Sequence, residues 1–103
     1  MKKKPIKKST LFKKLGSFRN VWNMDSTNGC GCVENQFEIG FTNGRVFQSY
    51  RTVIAAWIQG QLYLNECYHD YSTTTMKYCK QFTGMTAQQR RDGIENGTIR
   101  TFE

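Results

Sequence analysis

Gln36-Phe-Glu-Ile-Gly-Phe-Thr42, then Asn43-Gly44, then Arg45-Val-Phe-Gln-Ser-Tyr50, is the stretch that decides the fold class. Two β-prone runs flank Asn-Gly, the preferred pair for a two-residue type I′ turn because both of its central residues need positive φ. Such a turn predicts the register: Thr42 faces Arg45, Phe41 faces Val46, Ile39 faces Gln48, and Phe37 faces Tyr50. Side chains alternate across a strand, so Phe37, Ile39, Phe41, Val46 and Tyr50 then share one face, the expected core. On the opposite face Phe47 lies across from Gly40, where a ring can cover bare backbone.

Moving toward the C-terminus, Thr52–Ile58 is β-branched and apolar, and Leu62–Asn65 follows the glycine turn Gln59-Gly60-Gln61. Ala55-Ala56 would also suit a helix, but shortness and the flanking glycine favour a second hairpin. Asp70 or Ser72 can cap a helix that runs to about Phe82 and closes at Gly84, with Thr75, Tyr78, Cys79 and Phe82 as its inward face. Thr86 and Gln89 match a capping box and open a further helix ending near Gly97. Thr98–Phe102 supplies a last strand. Moving toward the N-terminus, Asp25–Asn35 reads as a loop rich in Asn, Ser, Thr and Gly. Leu11, Leu15, Phe18 and Trp22 recur at helical spacing, with Ser9 or Thr10 as N-cap and Gly16 as a weak point. That stripe would pack on the domain's own sheet; a basic amphipathic helix lying on a membrane is the alternative. Residues 1–8 are too polar to fold alone. The expected fold is α+β: a small antiparallel sheet with two or three helices packed on one face. Residues 1–8 form a flexible basic arm and residues 9–103 a single domain.

The charge is unevenly placed. Lys2, Lys3, Lys4, Lys7, Lys8, Lys13, Lys14 and Arg19 put +8 into residues 1–20 without an acid, while the remaining 7 basic and 8 acidic residues leave the rest at −1. Such segregation marks a polyanion-binding segment more often than a solubility tail. A chain of 103 residues holds one adequate core. No apolar run approaches the roughly 20 residues of a membrane span, and no apolar stretch follows the basic start as a secretory signal requires. A reducing, cytoplasmic location is therefore expected.

Chemistry-bearing residues are few. Cys30, Cys32, Cys67 and His69 could assemble a four-ligand zinc site, but both pairs have one intervening residue, whereas structural zinc sites commonly use two to four. Cys79 fits better as a small apolar residue on a helix face. Two disulfides would need an oxidising compartment, so thiols are the expected state and no cofactor is implied. Cys67 and His69 could pair as thiolate and imidazolium, yet no oxyanion hole accompanies them. Asp70, Ser72 and Thr74 are accounted for by capping and turns. Gly29, Gly31 and Gly40 match neither nucleotide-binding fingerprint. No enzyme is expected.

Phe47-Gln48-Ser49-Tyr50, Thr52 and Ile54-Ala55, with Asp70-Tyr71-Ser72-x-Thr74 and Lys77-Tyr78, resemble a family of uncharacterised small bacteriophage proteins over residues 36–103. The resemblance implies viral origin, action in the cytoplasm of a bacterial host, and a host–virus role such as host takeover or anti-defence, CRISPR inhibition being one example. It implies no chemistry.

Two functions remain. In the first, Lys2, Lys3, Lys4, Lys7, Lys8, Lys13, Lys14 and Arg19 clamp nucleic acid or a host nucleoprotein through phosphates, with salt-sensitive, sequence-tolerant binding. Tyr50, Tyr63, Tyr68 and Tyr71 around Arg51 could add base stacking, unless they are half-buried sheet residues. Lys77, Lys80, Arg90 and Arg91 could extend the basic surface. No helix-turn-helix, RNP or zinc-finger pattern appears, so sequence-specific readout is not indicated. In the second, the folded surface inhibits a host enzyme and the arm only assists. Neither involves a membrane.

Overall fold

A computed structural model describes residues 1–26, 31–67 and 72–103. In chain order it contains α1 (Lys8–Leu15), β1 (Phe18–Asp25), β2 (Cys32–Phe41), β3 (Gly44–Ser49), β4 (Thr52–Ile58), β5 (Gln61–Asn65), α2 (Thr73–Thr83), α3 (Ala87–Asn96) and β6 (Arg100–Phe102). The strands form one six-stranded sheet in the order β1-β2-β3-β4-β5-β6. β1 to β5 make an antiparallel meander, and β6 joins β5 in parallel after the chain has crossed through α2 and α3. The α+β class is as expected, with one strand more than the sequence suggested.

That strand comes from the expected helix over residues 9–22, which divides at Gly16. Leu11 and Leu15 are buried on α1, but Gly16 has φ 84° and ψ −143°, outside any helix. Phe18 and Trp22 therefore belong to β1, where both are exposed. Their helical spacing is fortuitous: Phe-Arg-Asn-Val-Trp-Asn-Met-Asp is equally a run of β-prone residues interleaved with polar ones. α1 begins at Lys8 rather than behind Ser9 or Thr10, with Lys7 at the cap position and no side-chain cap. β2 starts at Cys32, so part of the expected loop is strand; residues 27–30 lie outside the described residues.

The first hairpin exists, but its register is shifted by two residues in the sum of paired positions. Phe41 pairs with Gly44, Ile39 with Val46, Glu38 with Phe47 and Gln36 with Ser49. The turn is centred on Thr42-Asn43, and neither Asn43 nor Gly44 has positive φ. Tertiary contacts override the Asn-Gly preference. Thr42 and Asn43 sit under the C-terminus of α1, where Asn43 Nδ2 donates to Lys14 O (3.1 Å) and Asn43 N to Leu15 O (3.0 Å). Thr42 Oγ1 accepts from Ser17 N at 3.0 Å and donates to Leu15 O at 3.3 Å. The hairpin tip thus satisfies carbonyls that the last helical turn leaves unpaired. Gly44 enters the sheet opposite Ile58, where a Cβ would collide with Trp57 O. A two-residue turn with both φ positive does occur, at Gln59-Gly60 between β4 and β5.

Helices cover both faces of the sheet, not one. On the α1 side Leu11, Leu15, Val46, Val53, Ala56, Ile58, Tyr63 and Phe102 are buried together. On the other side Phe47, Ile54, Ala55, Leu62 and Leu64 pack against Tyr78, Cys79, Phe82 and Ile94 of α2 and α3. Phe37, Ile39 and Phe41 are half-buried and Tyr50 is 60% exposed, so the expected core face is only partly the core. Gly40 pairs with Arg45, and the side chains nearest it are those of Asn20 and Trp22, while Phe47 lies opposite Glu38. A bulge in β4 explains how one apolar run serves both layers: Phe47 pairs with Ala55 and Gln48 with Val53, leaving Ile54 extra. Ile54 and Ala55 then face one core, while Val53 and Ala56 face the other.

The two later helices follow their end signals. Ser72 Oγ accepts from Thr75 N at 3.1 Å. Thr86 and Gln89 form a complete capping box, and Gly84 and Gly97 close their helices in the left-handed conformation. Asp70 lies outside the described residues.

Candidate nucleic-acid interface

The residues expected as a flexible arm run along β6. Ile6 forms a parallel bridge with Phe102. Ile6 N donates to Thr101 O at 2.9 Å, Glu103 N to Ile6 O at 3.0 Å, and Lys8 N to Glu103 O at 2.9 Å. Two forces hold the segment: β6 presents edge groups that need partners, and the Ile6 side chain packs on the core beneath α1. At its far end the Met1 amino group donates to Asn96 O at 3.1 Å. The exposed ion pair Lys2–Glu66 (3.2 Å) adds little to stability but occupies Lys2. Lys3, Lys4 and Lys7 are exposed.

Lys8, Lys13 and Lys14 are exposed on α1, and Lys13 and Lys14 occupy its last turn, where cations complement the negative end of the helix dipole. Beside that turn lies a groove of about 460 Å³, lined by Lys13, Lys14, Asn43, Gln59, Gln61 and Tyr63 among others. Gln61 Nε2 is engaged with Leu62 O and Thr98 O, and Asn43 Nδ2 with Lys14 O. The two ammonium groups are therefore the donors best placed to meet an anion there. Arg19 is exposed at a bulge at the start of β1, between the pairs Phe18–Phe41 and Asn20–Gly40. The route from Lys13 round Gly16 to Arg19 brings three cations to the rim where α1 meets β1 and the tip of the β2–β3 hairpin.

The other expected contributors divide. Arg90 does not extend a basic surface: it is 1% exposed, and its Nη1 donates to Met85 O at 2.9 Å. Arg91 is exposed and bonded to Gln88. Arg45 lies on the α2 side, paired with Glu38 at 3.0 Å and stacked 4.9 Å from the Phe82 ring centre. Lys77 and Lys80 are exposed on α2, away from α1. Tyr63 is buried and Tyr50 exposed; Tyr68 and Tyr71 lie outside the described residues.

Of the zinc candidates, Cys32 and Cys67 are exposed, while Cys30 and His69 lie outside the described residues, as does any pairing of Cys67 with His69. Among the described residues no three His, Cys, Asp or Glu side chains are grouped to hold a metal. Among them, too, no helix is long and apolar enough to cross a membrane.

Sequence reasoning missed the surface of β1. Phe18, Val21 and Trp22 are 60%, 53% and 44% exposed on an edge strand. Once Gly16 is read as a stop, the aromatic and branched residues of that run are the signal that would have found it.

Comparison with known proteins adds one relationship. No curated protein and no solved structure matches the chain. Residues 6–97 match a family of unknown function. That span runs from Ile6, the anchor of the basic segment, to Gly97, the cap of α3, and the chain belongs to this family, DUF8033.

Proposed function

We propose that the chain is a non-enzymatic binding protein that engages nucleic acid, free or within a host nucleoprotein, through phosphate contacts. The groups are Lys8, Lys13, Lys14 and Arg19 around α1, with Lys3, Lys4 and Lys7 of the docked segment alongside. One observation carries the reading: eight cations fall within twenty residues without an acid, and α1 is fixed on the sheet by Leu11 and Leu15 at one end of its charge run. Cations held on a rigid element lose less freedom on binding than cations on a loose tail. In the phage setting suggested by the resemblance, the role is host takeover or anti-defence in the bacterial cytoplasm.

The test is affinity for a short duplex as a function of salt. With four phosphates neutralised, raising salt fourfold should weaken binding roughly 100-fold. Lys13→Gln with Lys14→Gln should weaken binding and reduce the salt slope by about two contacts' worth. Substitution is preferable to deleting residues 1–8, because Ile6 and Lys8 hold β6. An affinity independent of salt, or unchanged in the double variant, removes the reading.

A further inference from the structure

Where α1 gives way to β1, the fold leaves an apolar strip open. Phe18 is 60% exposed yet oriented: its ring meets Phe41 edge to face, with centroids 6.2 Å apart. Phe12 of α1 meets the same ring at 5.7 Å. Val21, 53% exposed, pairs with Ile39 on this face of the sheet. On this face the α1 cluster takes in side chains of β3 to β6, and Phe12 reaches Phe41 of β2; Phe18 and Val21 on the edge strand stay exposed beside Phe41 and Ile39. Isolated exposed apolar residues are ordinary, but a contiguous strip at a sheet edge calls for an occupant.

The surrounding charge selects that occupant. Lys8 lies one turn before Phe12 on the same flank of α1, Lys13 is on the outer face of the helix, and Arg19 directly follows Phe18. The only acid on β1, Asp25, is at its far end, about 23 Å along the strand. A partner must therefore present flat apolar faces to Phe18 and negative charge to the lysines beside it. Unpaired nucleotides do both, whereas the bases of a duplex are stacked on one another and out of reach. We infer that the strip around Phe18 is a stacking platform for single-stranded nucleic acid whose phosphates lie on Lys8, Lys13 and Arg19. The inference rests on the nucleic-acid reading and makes it specific for unpaired strands. Neither contact involves the sugar 2′ position, so a DNA strand serves as the probe.

The experiment is fluorescence anisotropy of the full chain with a labelled oligo-dT strand and with a duplex of equal length. Loss of one stacked base should weaken oligo-dT binding roughly tenfold or more in Phe18→Ala, while Phe18→Tyr retains it. Duplex binding should change less than about twofold, since its phosphate contacts remain. Because Phe18 is largely in water, the variant should keep the parent's melting midpoint, which is measured alongside. Equal oligo-dT affinity in parent and Phe18→Ala overturns the platform and leaves the phosphate reading standing. Failure of the parent to bind either probe overturns both. A dimer in solution that Phe18→Ala disperses would instead assign the strip to a second copy and overturn the inference.

Discussion

Replacing Gly16 with alanine tests the junction on which the candidate interface hangs. Two costs combine there. At φ 84° and ψ −143° the backbone occupies a region almost confined to glycine, so a Cβ introduces about 1–3 kcal/mol of strain. The same Cβ would fall on Thr42 Oγ1. That hydroxyl bonds Ser17 N at 3.0 Å and Leu15 O at 3.3 Å, and displacing it removes two hydrogen bonds of about 0.5–1.5 kcal/mol each. The expected loss is about 2–6 kcal/mol, a large part of the 5–15 kcal/mol typical of such a domain. Gly84→Ala is the control. Gly84 also has positive φ, 73°, but nothing stands near its Cβ, so only about 1–2 kcal/mol should be lost. Urea unfolding of both variants, read by far-UV circular dichroism, gives the comparison. A double-mutant cycle with Thr42→Ala should show the two changes to be less than additive by about 1 kcal/mol. Equal losses in Gly16→Ala and Gly84→Ala would falsify the argument, because they would mean that the hairpin tip does not brace α1.

Gly44→Val should lower the melting midpoint strongly, through collision with the Trp57 carbonyl and not through φ; Gly44→Ala should then destabilise nearly as much, and a neutral Gly44→Ala would refute the packing argument. Ser72→Ala and Thr86→Ala should each cost about 1 kcal/mol by removing the caps of α2 and α3. Additivity of that pair in urea unfolding checks that the helices are capped independently. With both sheet faces packed, the protein should keep its melting midpoint in excess chelator and carry substoichiometric zinc. Elemental analysis near one zinc per chain, with unfolding on chelation, would contradict this and turn attention to Cys30, Cys32, Cys67 and His69.

How far the fold could be read in advance depended on whether its determinants were local. α2 and α3 were legible because Ser72, Gly84, the Thr86–Gln89 box and Gly97 act within one or two turns of chain. β3 to β5 were legible from β-branched and apolar runs broken by glycine. The register of the first hairpin was not, because Thr42 and Asn43 are drawn into the turn by the carbonyls of Lys14 and Leu15, nearly thirty residues back. The two-sided core was hidden by the bulge at Ile54-Ala55, which breaks the alternation that would have revealed it. In the candidate interface the cations themselves were plain in the sequence. The placement of Lys3, Lys4 and Lys7 was not, since it depends on Ile6 finding Phe102 across the whole chain.

That last pairing orders events during synthesis. The lysines of residues 2–7 leave the ribosome long before the strand that moors them. Until residues 100–102 have emerged and joined β5, Ile6 has no partner and the basic segment trails loose from α1. The segment's mooring thus reports completion of the sheet, and a protease that trims it should cleave nascent or nicked chains far faster than finished ones.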